Sequence, residues 1–235
     1  DIGALLRSST PNALSEIPYA EWYQNSLRFP DSSVSRHHRA KYGDRPYEQF
    51  ARDWEAALAS WDAQRWAADF VASGASHVVF VAKHSDGYAL WPSEVKHPFR
   101  ADWQSTRDVV GEMAEAVRAV GMRFGVYYCG GFDWSFDETP VGNMADVIAS
   151  VPQGAYPEYA AAQVRELIHR YQPSVLWGDV AWPQRGPDLW RLFSEYYAVV
   201  PDGVVNDRWM PYQPRLARWA AGRGRSAIAM LARVG

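Results

Sequence analysis

The stretch "RDVVGEMAEAVRAVGMRFGVYYC" (107–129) decides the fold. Its first half spaces Val109, Val110, Met113, Val117 and Val120 along one helical stripe, and Gly121 is a stop signal just past it. Its second half, "RFGVYYC" (123–129), is a short apolar run too brief for a helix and rich in strand formers. One helix, a tight turn and one strand therefore follow each other within 23 residues.

The same unit recurs on both sides. "SWDAQRWAADFVASGA" (60–75) places Trp66, Phe70 and Val71 on one helical face, stops at Gly74, and leads into the strand "HVVFVAK" (77–83). "YPEYAAAQVRELIHRY" (156–171) roughly aligns Tyr156, Tyr159, Gln163, Leu167 and Tyr171 and leads into "SVLW" (174–177). A fourth helix, "DLWRLFSEYYAVV" (188–200), precedes "GVVND" (203–207). The strands are near-continuous apolar runs rather than alternating ones, which predicts parallel strands covered on both faces. Repeated αβ units imply either a (β/α)-barrel or an open doubly wound sheet. No glycine-rich phosphate loop follows any strand, which disfavours a nucleotide-binding sheet.

In a barrel the chemistry collects where strands end. Here those ends read "KHSDGYALW" (83–91), "YYCGGFDW" (127–134), "GDVAW" (178–182) and "NDRW" (206–209). Each carries Asp and Trp, the composition of a sugar-binding rim. The aspartate in "SVLWGDVAW" (174–182), Asp179, must either cap the next helix or do chemistry. The 12 Trp, 13 Tyr and 9 Phe suit sugar stacking as well, though most are expected in the core.

Bulk properties exclude other classes. The net charge of −3 gives no reason to expect nucleic acid or an anionic membrane surface. No apolar run approaches a membrane span, which predicts a soluble protein, cytoplasmic or secreted. A single cysteine, Cys129, forbids an internal disulfide. No His, Cys and acid cluster has metal-ligand spacing, so no metal or other cofactor is expected. His37, His38, His77, His97 and His169 are read as structural. Residues 1–16 show no clear element. Residues 210–235 are rich in Arg, Ala and Gly and contain no Asp or Glu. That segment reads as an off-frame stretch ahead of a nucleic-acid-binding tail, and the main domain is assigned to 1–209.

The blocks "PYAEWYQNSLR", "VVFVAKHSDGYALWPS", "RDVVGEMAEAVRAVGMRFGVYYCGGFDWSF", "VLWGDVAWP" and "VVNDRW" together resemble the α-L-fucosidases of glycoside hydrolase family 29, in that family's order and spacing, from about residue 18 to 209. The resemblance implies an α/β fold, a (β/α)8-barrel-like (TIM barrel) domain, here partial with several strands missing. It implies a retaining exo-fucosidase that releases terminal α-L-fucose from a fucosylated oligosaccharide or glycoside through a glycosyl-aspartate. Retention requires two carboxyl groups about 5 Å apart. Asp179 matches the nucleophile. Glu21 and Trp22 match an acid–aromatic pair on the sugar. His84 matches the first histidine of a paired motif whose second position is Ser85 here. Tyr127, Trp177 and Arg208 match residues around the nucleophile.

Two departures stand out. No strand of the type F-G-x-F-x-H-W-G precedes Glu21. The family's acid/base glutamate should follow the "NDRW" arginine by about a dozen residues, yet "YQPRLARWAAG" (212–222) has no acid. Glu21 is then the one candidate for a substitute acid, and a catalytically impaired chain that at most binds fucose is the alternative. Open strand edges would further favour self-association, so a homo-oligomer is expected.

Overall fold

The structure is a computed structural model, and it describes residues 13–17 and 19–213. The elements, in chain order, are α1 (Tyr23–Leu27), α2 (Ser33–Tyr42), α3 (Phe50–Ala57), α4 (Ala63–Ala72), β1 (His77–Lys83), α5 (Val109–Ala119), β2 (Arg123–Cys129), α6 (Met144–Ala149), α7 (Tyr156–Tyr171), β3 (Val175–Asp179), α8 (Gly186–Val199) and β4 (Val204–Val205).

They divide into two compact units. The first takes residues up to Phe50 together with 137–151. Its α2 starts on Ser32, whose hydroxyl accepts from Ser35 N–H, and stops at Gly43 with a positive φ. Buried Asn25 holds the 137–151 segment as a strand partner would: its amide donates to Val141 O at 3.0 Å and accepts from Val141 N at 2.9 Å. His38 is structural here. Its Nε2 donates to Arg45 O at 2.7 Å, so Nδ1 is left to accept from the Tyr23 hydroxyl at 2.6 Å.

The second unit spans 51–136 and 152–212 and holds the sheet. Among the described residues the four strands are all parallel, in the order β1-β2-β3-β4, with α5 between β1 and β2, α6 and α7 between β2 and β3, and α8 between β3 and β4, as in successive units of a (β/α) barrel. The helix ends follow local chemistry. Asp62 caps α4 through Gln64 and Arg65 N–H, and Asp108 caps α5 through Gly111 N–H. Gly111 is needed there, because a Cβ would meet the Asp108 carboxylate at 2.6 Å. Pro157 and Pro187 sit in the first turns of α7 and α8.

One face of the sheet packs under the helices. Ala82, Phe124, Val126, Tyr128 and Leu176 are buried against Val110, Met113, Val117, Val164, Leu167 and Leu192. The opposite face is not covered as the strand composition predicts: Val79, Val81, Trp177 and Val204 on it are exposed. The α4 stripe also differs from its reading. Ala63 and Ala67 are the buried residues, Phe70 is partly buried, and Trp66 and Val71 face solvent. Alanine carries only a methyl group, so α4 lies close against α5 through Ala63 and Ala67.

Of the segment 210–235, residues 214–235 lie outside the described residues. Residues 210–212 run beside 182–184: Trp182 N donates to Met210 O at 2.7 Å and Tyr212 N to Gln184 O at 3.0 Å. Among the described residues no helix is long and apolar enough to cross a membrane.

Candidate active site

Asp179 is the last residue of β3, and its carboxylate is held from three directions. The Tyr127 hydroxyl donates to Oδ2 at 2.8 Å. Arg208 Nη1 and the Val180 backbone N–H donate to Oδ1 at 3.0 and 2.8 Å. Its side chain keeps 23% of its surface exposed, enough for a ligand to reach it. The helix-capping alternative does not hold: α8 begins only at Gly186, with Arg185 at its N-cap position.

The backbone around Asp179 is unusual. Val180 lies in the left-handed region, at φ 68°, which disfavours a β-branched residue. Strain of this kind costs about 1–3 kcal/mol and persists only where neighbours enforce it. Here Gly131 N donates to Asp179 O at 3.2 Å, and a Cβ on Gly131 would stand 2.6 Å from Val180 Cβ. Glycine at 131 therefore lets the two loops meet, and the bend turns Val180 N–H back onto the carboxylate.

Two further groups fix the end of β3. Gly178 bears the face of the Trp209 indole, leaving no room for a Cβ. Asn206 replaces the strand pairing that ends with β4, accepting from Gly178 N and donating to Gly178 O, both at 2.9 Å. Asn206 was not singled out from the sequence. Its place directly before "DRW", where a two-residue strand runs out, is the signal that could have found it.

Tyr127 and His84 extend the network. Ser85 N donates to His84 Nδ1 at 2.8 Å, so the neutral ring carries its proton on Nε2. That nitrogen lies 2.9 Å from the Tyr127 oxygen, which in turn donates to Asp179. The two rings are nearly parallel, with centroids 5.1 Å apart. The proton order is thus His84 Nε2–H to Tyr127 O–H to Asp179 Oδ2. Burial, with Cys129 and Asp179 adding to it, pushes the Tyr127 phenol far above its ordinary pKa and keeps it a donor.

The sequence-derived residues divide cleanly. His84, Tyr127, Asp179 and Arg208 form one hydrogen-bonded set. Trp177 lies two residues before Asp179 on the same sheet face and is exposed. Ser85 is not brought to this set: it is buried, and its hydroxyl lies 3.4 Å from Cys129 Sγ. Glu21 and Trp22 lie on a 3-10 turn (Ala20–Trp22) of the first unit, Glu21 exposed and Trp22 half-buried. Among the described residues no group of three or more His, Cys, Asp or Glu could hold a metal ion.

The α-L-fucosidase family model matches residues 7–217. The chain is 30% identical over 206 residues to the α-L-fucosidase of Dictyostelium discoideum, covering 81% of this chain and 43% of that protein. It is 34% identical over 173 residues to human plasma α-L-fucosidase, covering 69% of this chain and 35% of that one. The crystal structure of Thermotoga maritima α-fucosidase in complex with fucose superposes with a TM-score of 0.77 at 42% identity, covering 89% of this chain and 50% of that chain. The chain thus spans less than half the length of these curated relatives. With a family match over nearly its whole length and a carboxylate set at a barrel strand end, this chain belongs to the α-L-fucosidase family.

Proposed function

We propose that the chain carries the nucleophile half of a retaining exo-α-L-fucosidase acting on terminal α-L-fucose of oligosaccharides or glycosides. The observation that supports it most is the Asp179 carboxylate, part-exposed at the end of β3 with a donor on each oxygen. In the first step an Asp179 oxygen bonds to the anomeric carbon as the glycosidic oxygen leaves with its electron pair. In the second, water attacks the same carbon as its bond to the Asp179 oxygen breaks, the electron pair returns to the carboxylate, the proton water gives up passes to the group that served as acid, and fucose departs with retained configuration. Arg208 and Tyr127 orient the carboxylate for attack and accept it again when the glycosyl bond breaks. His84 and Trp177 border the same space and are proposed to contact the sugar, as are Glu21 and Trp22. The reaction as proposed uses no cofactor or metal.

The leaving oxygen requires a proton from a second carboxyl group. Glu21 is proposed as a substitute acid. Without an effective acid the rate falls about 10²- to 10⁴-fold for leaving groups that need protonation. A nitrophenyl α-L-fucoside, whose aglycone leaves unaided, should therefore be cleaved slowly, and a fucosyl disaccharide hardly at all. Asp179→Asn should abolish the aryl reaction, and mass spectrometry should find the fucosyl adduct on Asp179. Aryl-fucoside cleavage that survives Asp179→Asn would overturn the assignment.

The absence of an acid in 212–222 favours a second reading, fucose binding without turnover. Calorimetry with L-fucose separates the two: binding with no aryl-fucoside cleavage supports it.

A further inference from the structure

Behind the Asp179 network lies a buried ion pair that the proposed chemistry does not use. Lys83, the last residue of β1, is fully buried, and its Nζ lies 2.5 Å from Oδ2 of Asp133, also fully buried. The ammonium sits against the Tyr128 and Tyr156 rings, 4.6 and 5.1 Å from their centroids, and 3.4 Å from the Tyr156 hydroxyl. The other Asp133 oxygen accepts from Ser135 N at 3.1 Å and from the Ser135 hydroxyl. Ser135 Oγ in turn lies 2.8 Å from His97 Nε2. His97 Nδ1 accepts from Phe99 and Arg100 N–H, so Nε2 donates to Ser135.

Removing two charges from water costs several kcal/mol per ion, and such a pair adds little net stability over apolar residues of the same size. Its other consequence is geometric. Lys83 immediately precedes His84, and Asp133 lies in the loop after β2. Trp134 N also donates to Ser85 O at 2.7 Å, and a Cβ on Gly87 would fall 2.2 Å from Asp133 Oδ1. The turn 84–87 is therefore pressed directly onto the Asp133 carboxylate. His84 is thus flanked by buried Lys83 on one side and by Ser85, whose carbonyl accepts from Trp134 N, on the other.

We infer that Lys83 and Asp133 are positioning residues: the buried pair, with Ser135, holds the turn 84–87 so that His84 stays on Tyr127 and Tyr127 on Asp179. The catalytic consequence rests on Asp179 being the nucleophile; the geometric one does not. Lys83→Met alone leaves a buried uncompensated carboxylate and is expected to unfold the chain. The informative variant is Lys83→Met with Asp133→Asn, which removes both charges, keeps the volumes, and leaves the Ser135 bonds an acceptor.

The test reads His84 itself. In the wild-type chain the imidazole Nε2 proton of His84, assigned by its loss in His84→Gln, should exchange slowly in nitrogen-edited NMR. In the double variant, melting close to wild type, that proton should exchange on the order of tenfold faster or more. In the same variant kcat for an aryl fucoside should fall about 10²-fold with KM changed far less, the size of effect a 1 Å misplacement produces. A folded double variant with unchanged His84 exchange overturns the inference. If it does not fold, Ser135→Ala decides: a smaller acceleration in the same direction supports the inference, and none overturns it. A wild-type chain with the slow His84 proton but no fucoside cleavage would sink the fucosidase reading and leave this one standing.

Discussion

At the scale of the residue, Tyr127 carries the most consequence for the least chemistry. Its hydroxyl is both the acceptor for His84 and the donor to Asp179. Tyr127→Phe keeps the ring and strands both partners. A hydrogen bond to a charged group contributes about 1.5–3 kcal/mol, so kcat/KM on an aryl fucoside should drop on the order of tenfold to a hundredfold. A variant with wild-type kcat/KM would show that Asp179 is oriented by Arg208 and Val180 alone. Cys129, opposite Asp179 in the β2–β3 register, behaves differently. Burial pushes its thiol up to about 11, so it stays protonated and enclosed at neutral pH. A thiol reagent should modify it only as fast as the chain opens; rapid labelling of the folded protein would contradict its burial. Asp179 was legible because an acid ending an apolar run is anomalous in any sequence. Ser85 was not, since the sequence cannot say that its hydroxyl turns inward to Cys129.

Among the elements, β3 shows how closely a strand end must be built. Gly178 is compressed against Trp209, with the nearest ring atom 2.5 Å from where a Cβ would be. Gly178→Ala should therefore displace the indole or the strand and cost about 1–3 kcal/mol, read as a lower melting temperature. Because residue 178 adjoins Asp179, activity should fall as well. A melting temperature equal to wild type would mean that Trp209 moves aside freely. Helices α5, α7 and α8 were legible from their periodicity, which any apolar face must satisfy. The α4 face was not. Periodicity ranks residues by size and polarity, whereas close helix packing selected Ala63 and Ala67 over Trp66 and Val71. The two-residue β4 was legible only as a longer run, because Asn206 supplies by side chain what further pairing would have supplied by backbone.

Considered as a whole molecule, the chain has a stability that should depend on His97. Burial chiefly holds its imidazole below its ordinary pKa; Arg100 and Lys83 act in the same sense and Asp133 opposes them. In the unfolded chain a histidine takes up a proton near pH 6.5, while folded His97 stays neutral to lower pH. Between those two pKa values the unfolded state binds more protons, so stability is full above about pH 6.5 and declines as pH falls through that window. Melting temperature should drop on acidification from about pH 7.5 to 5.5, and His97→Gln should flatten that drop. Equal slopes in both proteins would remove His97 as its source.

By itself the sequence determined the α/β class, the repeated parallel units and the family, and it singled out His84, Tyr127, Asp179 and Arg208 by type and motif. These are properties of pattern and motif, carried by local periodicity and by side chains whose type is dictated by their chemistry. Only the tertiary structure decided that Arg208 pairs with Asp179 and that Val180 is bent into a left-handed conformation. It alone decided that Lys83 and Asp133, 50 residues apart, share one buried site. Those outcomes depend on which loops approach closely enough to exclude water, and no local pattern in the chain encodes that distance.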